Sequence, residues 1–166
     1  PKDLRATTYL AKKHDVEIPM LAGILPSNRN HLDLALQKIL ETGKRKIGFI
    51  GLSFKTGSDD LRESPLVTLA EQLIGKGMQL SIYDPEVHLA KLLGANRSFI
   101  EKHLPHIGEM LRQDIEGVIE ESEVLVVGLT GQDALANRCR KEQLVLDLVN
   151  LPDGMAIRAQ VDGLCW

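Results

Sequence analysis

A doubly wound α/β domain on a parallel sheet, preceded by a long helical segment, is the fold class the sequence predicts, and three observations predict it. Short apolar runs recur at Lys46 to Gly51, Gln79 to Tyr83, Val124 to Gly128 and Leu144 to Asp147. Stretches of helical period lie between them, as the right-handed βαβ crossovers of a parallel sheet require. Residues 1–43 show helical spacing alone, so the expected division is a helical, association-prone segment over 1–43 and an α/β domain over 44–166.

In chain order, Leu4, Thr8 with Tyr9, and Ala11 fall at helical spacing to about Asp15, and Asp3 is placed to cap that helix by accepting orphan amide protons. Pro19 marks a restart. From Leu21 to Leu40, apolar residues then recur every three or four positions until Gly43, the pattern of a long amphipathic helix ended by glycine, with a kink expected at Pro26. Such a front has no core of its own. Its apolar stripe must pack on another domain or another copy, and a homodimer is the simplest expectation.

Lys46 to Gly51 reads as a buried strand, Leu66 to Ile74 as a helix, Gly75-Lys76-Gly77 as its stop and Gln79 to Tyr83 as the second strand. Glu86 to Leu93 reads as helical, Asn96 to Gly108 as irregular and Asp114 to Glu121 as helical again. Val124 to Gly128 and Leu144 to Asp147 follow as strands. Asp162 to Trp166 is expected as a last edge strand.

Composition narrows the function. With 166 residues and an apolar share of 43%, the chain can bury a real core. No run of about eighteen apolar residues exists and the first residues carry both charge signs, so neither a spanning helix nor a secretion signal is expected, and the cytoplasm is the expected compartment. A net charge of −3 with mixed signs lacks the basic footprint of a nucleic-acid binder. Cys139 and Cys165 have no CxxC spacing, and both read as small hydrophobes. His103 and His106 offer two metal ligands only superficially, because Pro105 breaks the helical spacing; the stretch reads as a surface turn, and no metal is expected. The first residue is Pro1, which reads as a processed product or a piece of something longer.

The connection GLSFKTGSDDLRESP, Gly51 to Pro65, is unusually polar for a link inside a compact domain. In an open parallel sheet, ligands bind beyond the carboxyl ends of the strands where strand order reverses, and the first strand-to-helix loop lies there. Ser64 fits the cap of the next helix and Pro65 its first position, which turns the positive end of that helix toward the loop. Gly48 and Gly51 match a dinucleotide fingerprint only loosely, because the third glycine is absent. Lys55 and Arg62 can instead bring a point charge and a forked charge to a diphosphate, with Asp59 and Asp60 orienting those cations or accepting sugar hydroxyls. The plain alternative is a solvated Lys55, an Arg62 paired with Asp59 or Glu63, and a Ser64 that only caps. Asp84, after the second strand, is open in the same way between a ribose ligand and an Asp-Pro turn.

The same loop closely resembles the G-[LF]-[AS]-F-K-x-x-T-D-D-x-R-x-S-P signature of the nucleotide-sugar dehydrogenases, the family of UDP-glucose and GDP-mannose 6-dehydrogenases. The opening PKDLRA resembles the end of that family's catalytic segment, G-G-x-C-x-P-K-D, and IYDP after the second strand fits as well. The resemblance covers essentially the whole chain, as a helical segment followed by the C-terminal, nucleotide-sugar-binding Rossmann-like domain. The stretch LRESPLVTLAEQLIGKG, the DLV at Asp147 to Val149 and the terminal CW are closer to the GDP-mannose branch than to the UDP-glucose branch.

The resemblance implies oxidation of a sugar C6 alcohol to a carboxylate with two NAD+, through a cysteine thiolate that holds the aldehyde-level intermediate as a covalent adduct. Asp3 matches the family's catalytic aspartate, Lys55 with Phe54 beside it matches the nucleotide-sugar contact, and Arg62 matches an arginine near the cofactor. Ser58 stands where the motif has threonine and keeps the hydroxyl. The family's cysteine and its NAD-binding domain match nothing in this chain, so the chain alone is expected to bind GDP-mannose or a related nucleotide sugar rather than to catalyse. A portion of a UDP-glucose enzyme, or a non-catalytic nucleotide-sugar-binding, regulatory or dimerisation module, is the alternative.

Overall fold

The computed structural model describes residues 2–53, 60–87, 94–130, 134–152 and 154–164, apart from the side chains of 94–97. Two compact units are present, Pro1–Leu34 and Ala35–Trp166.

The first unit holds α1 (Lys2–Lys13) and the start of α2 (Pro19–Glu41). Asp3 lies inside the first turn of α1 rather than at its cap, and its carbonyl accepts from Thr7 Oγ1 at 2.9 Å. A carboxylate in the first turn still complements the helix dipole. Pro19 opens α2 at a position where a missing N–H costs nothing, and the helix continues through Pro26. Its last turns belong to the second unit because Ala35 and Ile39 are buried. Gly43, at φ +65°, turns the chain out of the helix.

In the second unit β1 (Lys46–Ile50), β2 (Gln79–Tyr83), β3 (Val124–Val127), β4 (Leu144–Asp147) and β5 (Gln160–Gly163) form one parallel sheet in the order β2-β1-β3-β4-β5. The order reverses between β1 and β3. Ile50 pairs with both Tyr83 and Val127, and Val127 with Asp147, so four strands end at one level around that reversal. Both faces of β1, β3 and β4 are covered, which explains why they read as apolar runs instead of alternating, while the edge strand β5 is largely exposed. Ile50, Leu125, Val127 and Val145 share one core layer with Val118 and Ile119 of α6 (Ile115–Glu121) and Leu135 of α7 (Ala134–Arg138). Ile47, Phe49, Val124 and Val126 alternate to the opposite face and are equally buried. Gly48 lets α6 come close, because a Cβ there would stand 2.4 Å from Ser122 Oγ.

The remaining helices are α3 (Pro65–Gly75), α4 (Gly94–His103) and α5 (Ile107–Met110). α4 occupies part of the stretch expected to be irregular. Its sequence hides the helix because it is polar, with Ile100 and, just beyond its end, Leu104 as the buried apolar anchors one turn apart. Glu86 and Val87 lie in a turn rather than in the expected helix, the rest of which falls outside the described residues. β5 begins two residues earlier than expected, and Cys165 and Trp166 lie outside the described residues.

Candidate functional site

The carboxyl end of β1 leads straight into the polar loop, and the geometry there is set by backbone. Gly51 takes φ +96°, which L side chains rarely adopt, and donates its N–H to Tyr83 O at 2.8 Å. One residue on, the chain has left the sheet, and Asp84 replaces the strand partner. Asp84 Oδ2 accepts from the N–H of Leu52 at 2.8 Å and of Ser53 at 2.9 Å, while Oδ1 accepts from Glu86 N–H at 3.0 Å. The carboxylate is 4% exposed, so these three amides are its compensation for burial. Asp84 is therefore neither exposed for a ribose nor a simple turn residue; it joins β2 to the loop after β1.

The far end of the loop returns to the same point. Ser64 caps α3, with Oγ accepting from Leu66 N–H at 3.2 Å, and that hydroxyl donates to Leu52 O at 2.8 Å. Both backbone groups of Leu52 are thus held by side chains, one from β2 and one from the α3 cap. Leu52 and Leu61 are fully buried beneath this closure.

Inside the loop, Asp60 holds Arg62 through a forked pair, Nε to Oδ1 at 2.9 Å and Nη2 to Oδ2 at 2.8 Å, and its Oδ1 also accepts from Arg62 N–H at 3.1 Å. Asp60 is thus a carboxylate that orients Arg62. Glu63 follows at φ +58°, a left-handed turn that brings the chain to the Ser64 cap. Phe54, Lys55, Ser58 and Asp59 lie outside the described residues. Asp3 is exposed in the first turn of α1 and belongs to the other compact unit.

The glycines at the strand ends serve packing. A Cβ on Gly51 would stand 2.4 Å from Leu129 Cγ, and one on Gly128 would stand 2.2 Å from Leu66 Cδ1. A leucine side chain stands against each of these glycines, so the missing Cβ at both positions accommodates packing within this chain. Cys139 is buried, and burial pushes its thiol up to about 11, which removes it as a nucleophile near neutral pH. No group of three or more metal-ligating side chains occurs among the described residues. His103 instead pairs with Glu71 at 3.0 Å and stacks on Phe99.

A concavity of about 230 Å³ opens at the amino ends of β1 and β2 between Lys46, Ser81, Arg112 and Glu121. Its charges answer one another: Glu121 accepts from Arg112 at 2.9 Å and from Ser81 at 2.8 Å, which holds its carboxyl below the usual range. It lies at the wrong end of the sheet for a switch-point ligand.

An open α/β domain with a latched, charged loop at the switch point of a 2-1-3-4-5 sheet defines a ligand-binding domain of the nucleotide-binding kind. Residues 48–153 match the UDP-glucose/GDP-mannose dehydrogenase family, UDP binding domain, and the chain belongs to that family. It is 45% identical over its whole length to the GDP-mannose 6-dehydrogenase of Pseudomonas aeruginosa, spanning 38% of that protein, in its C-terminal part. A putative UDP-glucose 6-dehydrogenase of Bacillus subtilis is 31% identical over 82% of the chain and 30% of the relative. The crystal structure of a ternary complex of GDP-mannose dehydrogenase from Pseudomonas aeruginosa superposes with a TM-score of 0.84 at 44% identity, over 100% of this chain and 38% of that one. A UDP-glucose dehydrogenase from Pyrobaculum islandicum shares the fold, with a TM-score of 0.76 at 22% identity over 100% of this chain and 37% of that one. The chain thus spans about two-fifths of the length of its GDP-mannose relatives.

Proposed function

We propose that this chain is the nucleotide-sugar-binding portion of an NAD-dependent nucleotide-sugar 6-dehydrogenase, with GDP-mannose as its substrate and GDP-mannuronate as the product of the whole enzyme. The observation that carries the reading is the β1–α3 loop: it bears the family signature, roots at the switch point and is closed by Asp84 and Ser64. GDP-mannose is favoured over UDP-glucose because 45% identity runs over the full chain, against 31% over part of it.

In this reading Lys55 and Phe54 hold the nucleotide sugar, the lysine as a point charge on the diphosphate. Arg62, its fork occupied on one side by Asp60, extends from the loop toward the cofactor, and Ser58 and Asp59 support the loop with hydroxyl and carboxylate. Asp3 is the acid or base that serves the sulfur chemistry at C6. NAD+ accepts hydride in the whole enzyme and is held mainly outside these 166 residues.

A homodimer belongs to the same proposal. Tyr9, Leu10, Val16, Met20, Ile24 and Leu34 are the exposed large hydrophobics of the first unit, and a second copy would cover them.

Titration calorimetry of the chain and of its Lys55→Ala variant with GDP-mannose, UDP-glucose and NAD+ tests the reading. GDP-mannose should bind the wild type more tightly than UDP-glucose does, and Lys55→Ala should lose most of that affinity. A folded chain that binds neither sugar nucleotide overturns it.

A further inference from the structure

We propose that Asp84 is a positioning residue for nucleotide-sugar binding: from the end of β2 it fixes the root of the β1–α3 loop, and so sets ligand affinity without touching the ligand. This rests on the nucleotide-sugar reading of that loop.

Three features separate Asp84 from an ordinary turn-forming aspartate. Its bonds to Leu52 and Ser53 cross 32 and 31 residues of chain, whereas Asp147 at the end of β4, equally buried, accepts from Val149 and Leu151, just two and four residues further on. Its partners are the two residues at which the chain leaves the sheet, since the last strand-type bond of that stretch is Gly51 N–H to Tyr83 O. The residue it holds, Leu52, is also the one that Ser64 holds from the other end. One carboxylate and one hydroxyl thereby define where the loop starts and where it stops.

The consequence is energetic. A loop whose ends are tied has already lost the entropy of bringing them together, so less ordering remains to be done when a ligand arrives. Removing the carboxylate returns that cost to the binding step and takes an acceptor away from three amides, those of Leu52, Ser53 and Glu86. The sheet itself, paired along β1 and β2, stays intact.

The test compares wild type, Asp84→Asn, Asp84→Ala and, as a stability control at the other end of the sheet, Gln143→Ala. Affinity for GDP-mannose is measured by calorimetry, the melting midpoint by scanning calorimetry, and amide exchange at Leu52 and Ser53 by NMR. Asp84→Asn should keep the fold, speed exchange at both amides and weaken GDP-mannose roughly tenfold, the weight of one hydrogen bond to a charged group. Gln143→Ala should lower the midpoint and leave affinity within about twofold. Wild-type affinity in Asp84→Asn overturns the inference, as does an equal loss of affinity in Gln143→Ala, which reduces the effect to stability. Unchanged exchange at Leu52 and Ser53 overturns the anchoring whatever the ligand result. A folded wild type that binds no sugar nucleotide defeats the functional reading instead, and the exchange measurement then judges the anchor by itself.

Discussion

Gly51 and Gly128 stand at neighbouring strand ends, yet their substitution by alanine should cost different amounts. At Gly51 a new Cβ meets Leu129 Cγ and must also adopt φ +96°, so overpacking and backbone strain add to about 3 kcal/mol. At Gly128 the obstacle is the tip of Leu66, which can rotate aside, and about 1 kcal/mol is expected. Chemical denaturation of both variants should rank Gly51→Ala well below Gly128→Ala. The sequence offered Gly48 and Gly51 as a loose phosphate fingerprint, and their real partners, Ser122, Val118 and Leu129, are far away in the chain. Spacing cannot report which side chain fills the space beside a glycine. Ser64 was legible as a cap because capping is local, whereas its second bond, to Leu52, bridges twelve residues and leaves no trace in a local pattern.

At the scale of elements, α6 is finished by side chains. Gln143, itself buried, donates to Ile119 O at 2.7 Å and Ser122 O at 2.8 Å, and Arg140 donates to Glu120 O and Ser122 O. Gln143→Ala should therefore destabilise the domain by about 1 to 3 kcal/mol, read from the shift of the denaturation midpoint at constant slope. The start of β1 depends on Glu123, whose Oε2 accepts from the N–H groups of Lys46 and Arg45 at 3.0 Å. Those amides hold its carboxyl below the ordinary 4.5, and the Arg112 hydrogen bond does the same for Glu121. Because the folded values are depressed, the stability they contribute is present above pH 4.5 and is lost as pH falls below it toward the folded values. Melting between pH 7 and pH 3 should show that fall, and Glu123→Gln should flatten it. The inner strands β1, β3 and β4 were visible in the sequence because burial on both faces makes each an apolar run; α4 was not, because its sequence is mostly polar.

Over the whole molecule, the α/β domain could be read from alternating runs and the strand order could not, since pairing of β1 with β3 skips a strand and is settled by packing. On the proposed reading, mass action applies: at a hundred times its dissociation constant GDP-mannose should add about 2.7 kcal/mol to the folded state and raise the melting midpoint by several degrees. Met20 is 82% exposed and Tyr9 69%, so Met20→Glu and Tyr9→Glu together should abolish self-association in sedimentation velocity without lowering the midpoint of the sheet domain. A wild-type chain that sediments as a monomer at all concentrations would contradict the homodimer.

The closure at Leu52 also makes segment 53–63 a cassette. Its two stems are fastened to each other and to the end of β2, and Leu61 within it is fully buried, so an exchange that keeps Leu52, Leu61 and Ser64 should leave the pairing of the sheet in place while base or sugar preference changes. Transplanting the corresponding segment from the Bacillus subtilis relative, with Leu52, Leu61, Ser64 and Asp84 kept, should transfer preference and leave the melting midpoint within a few degrees of the parent.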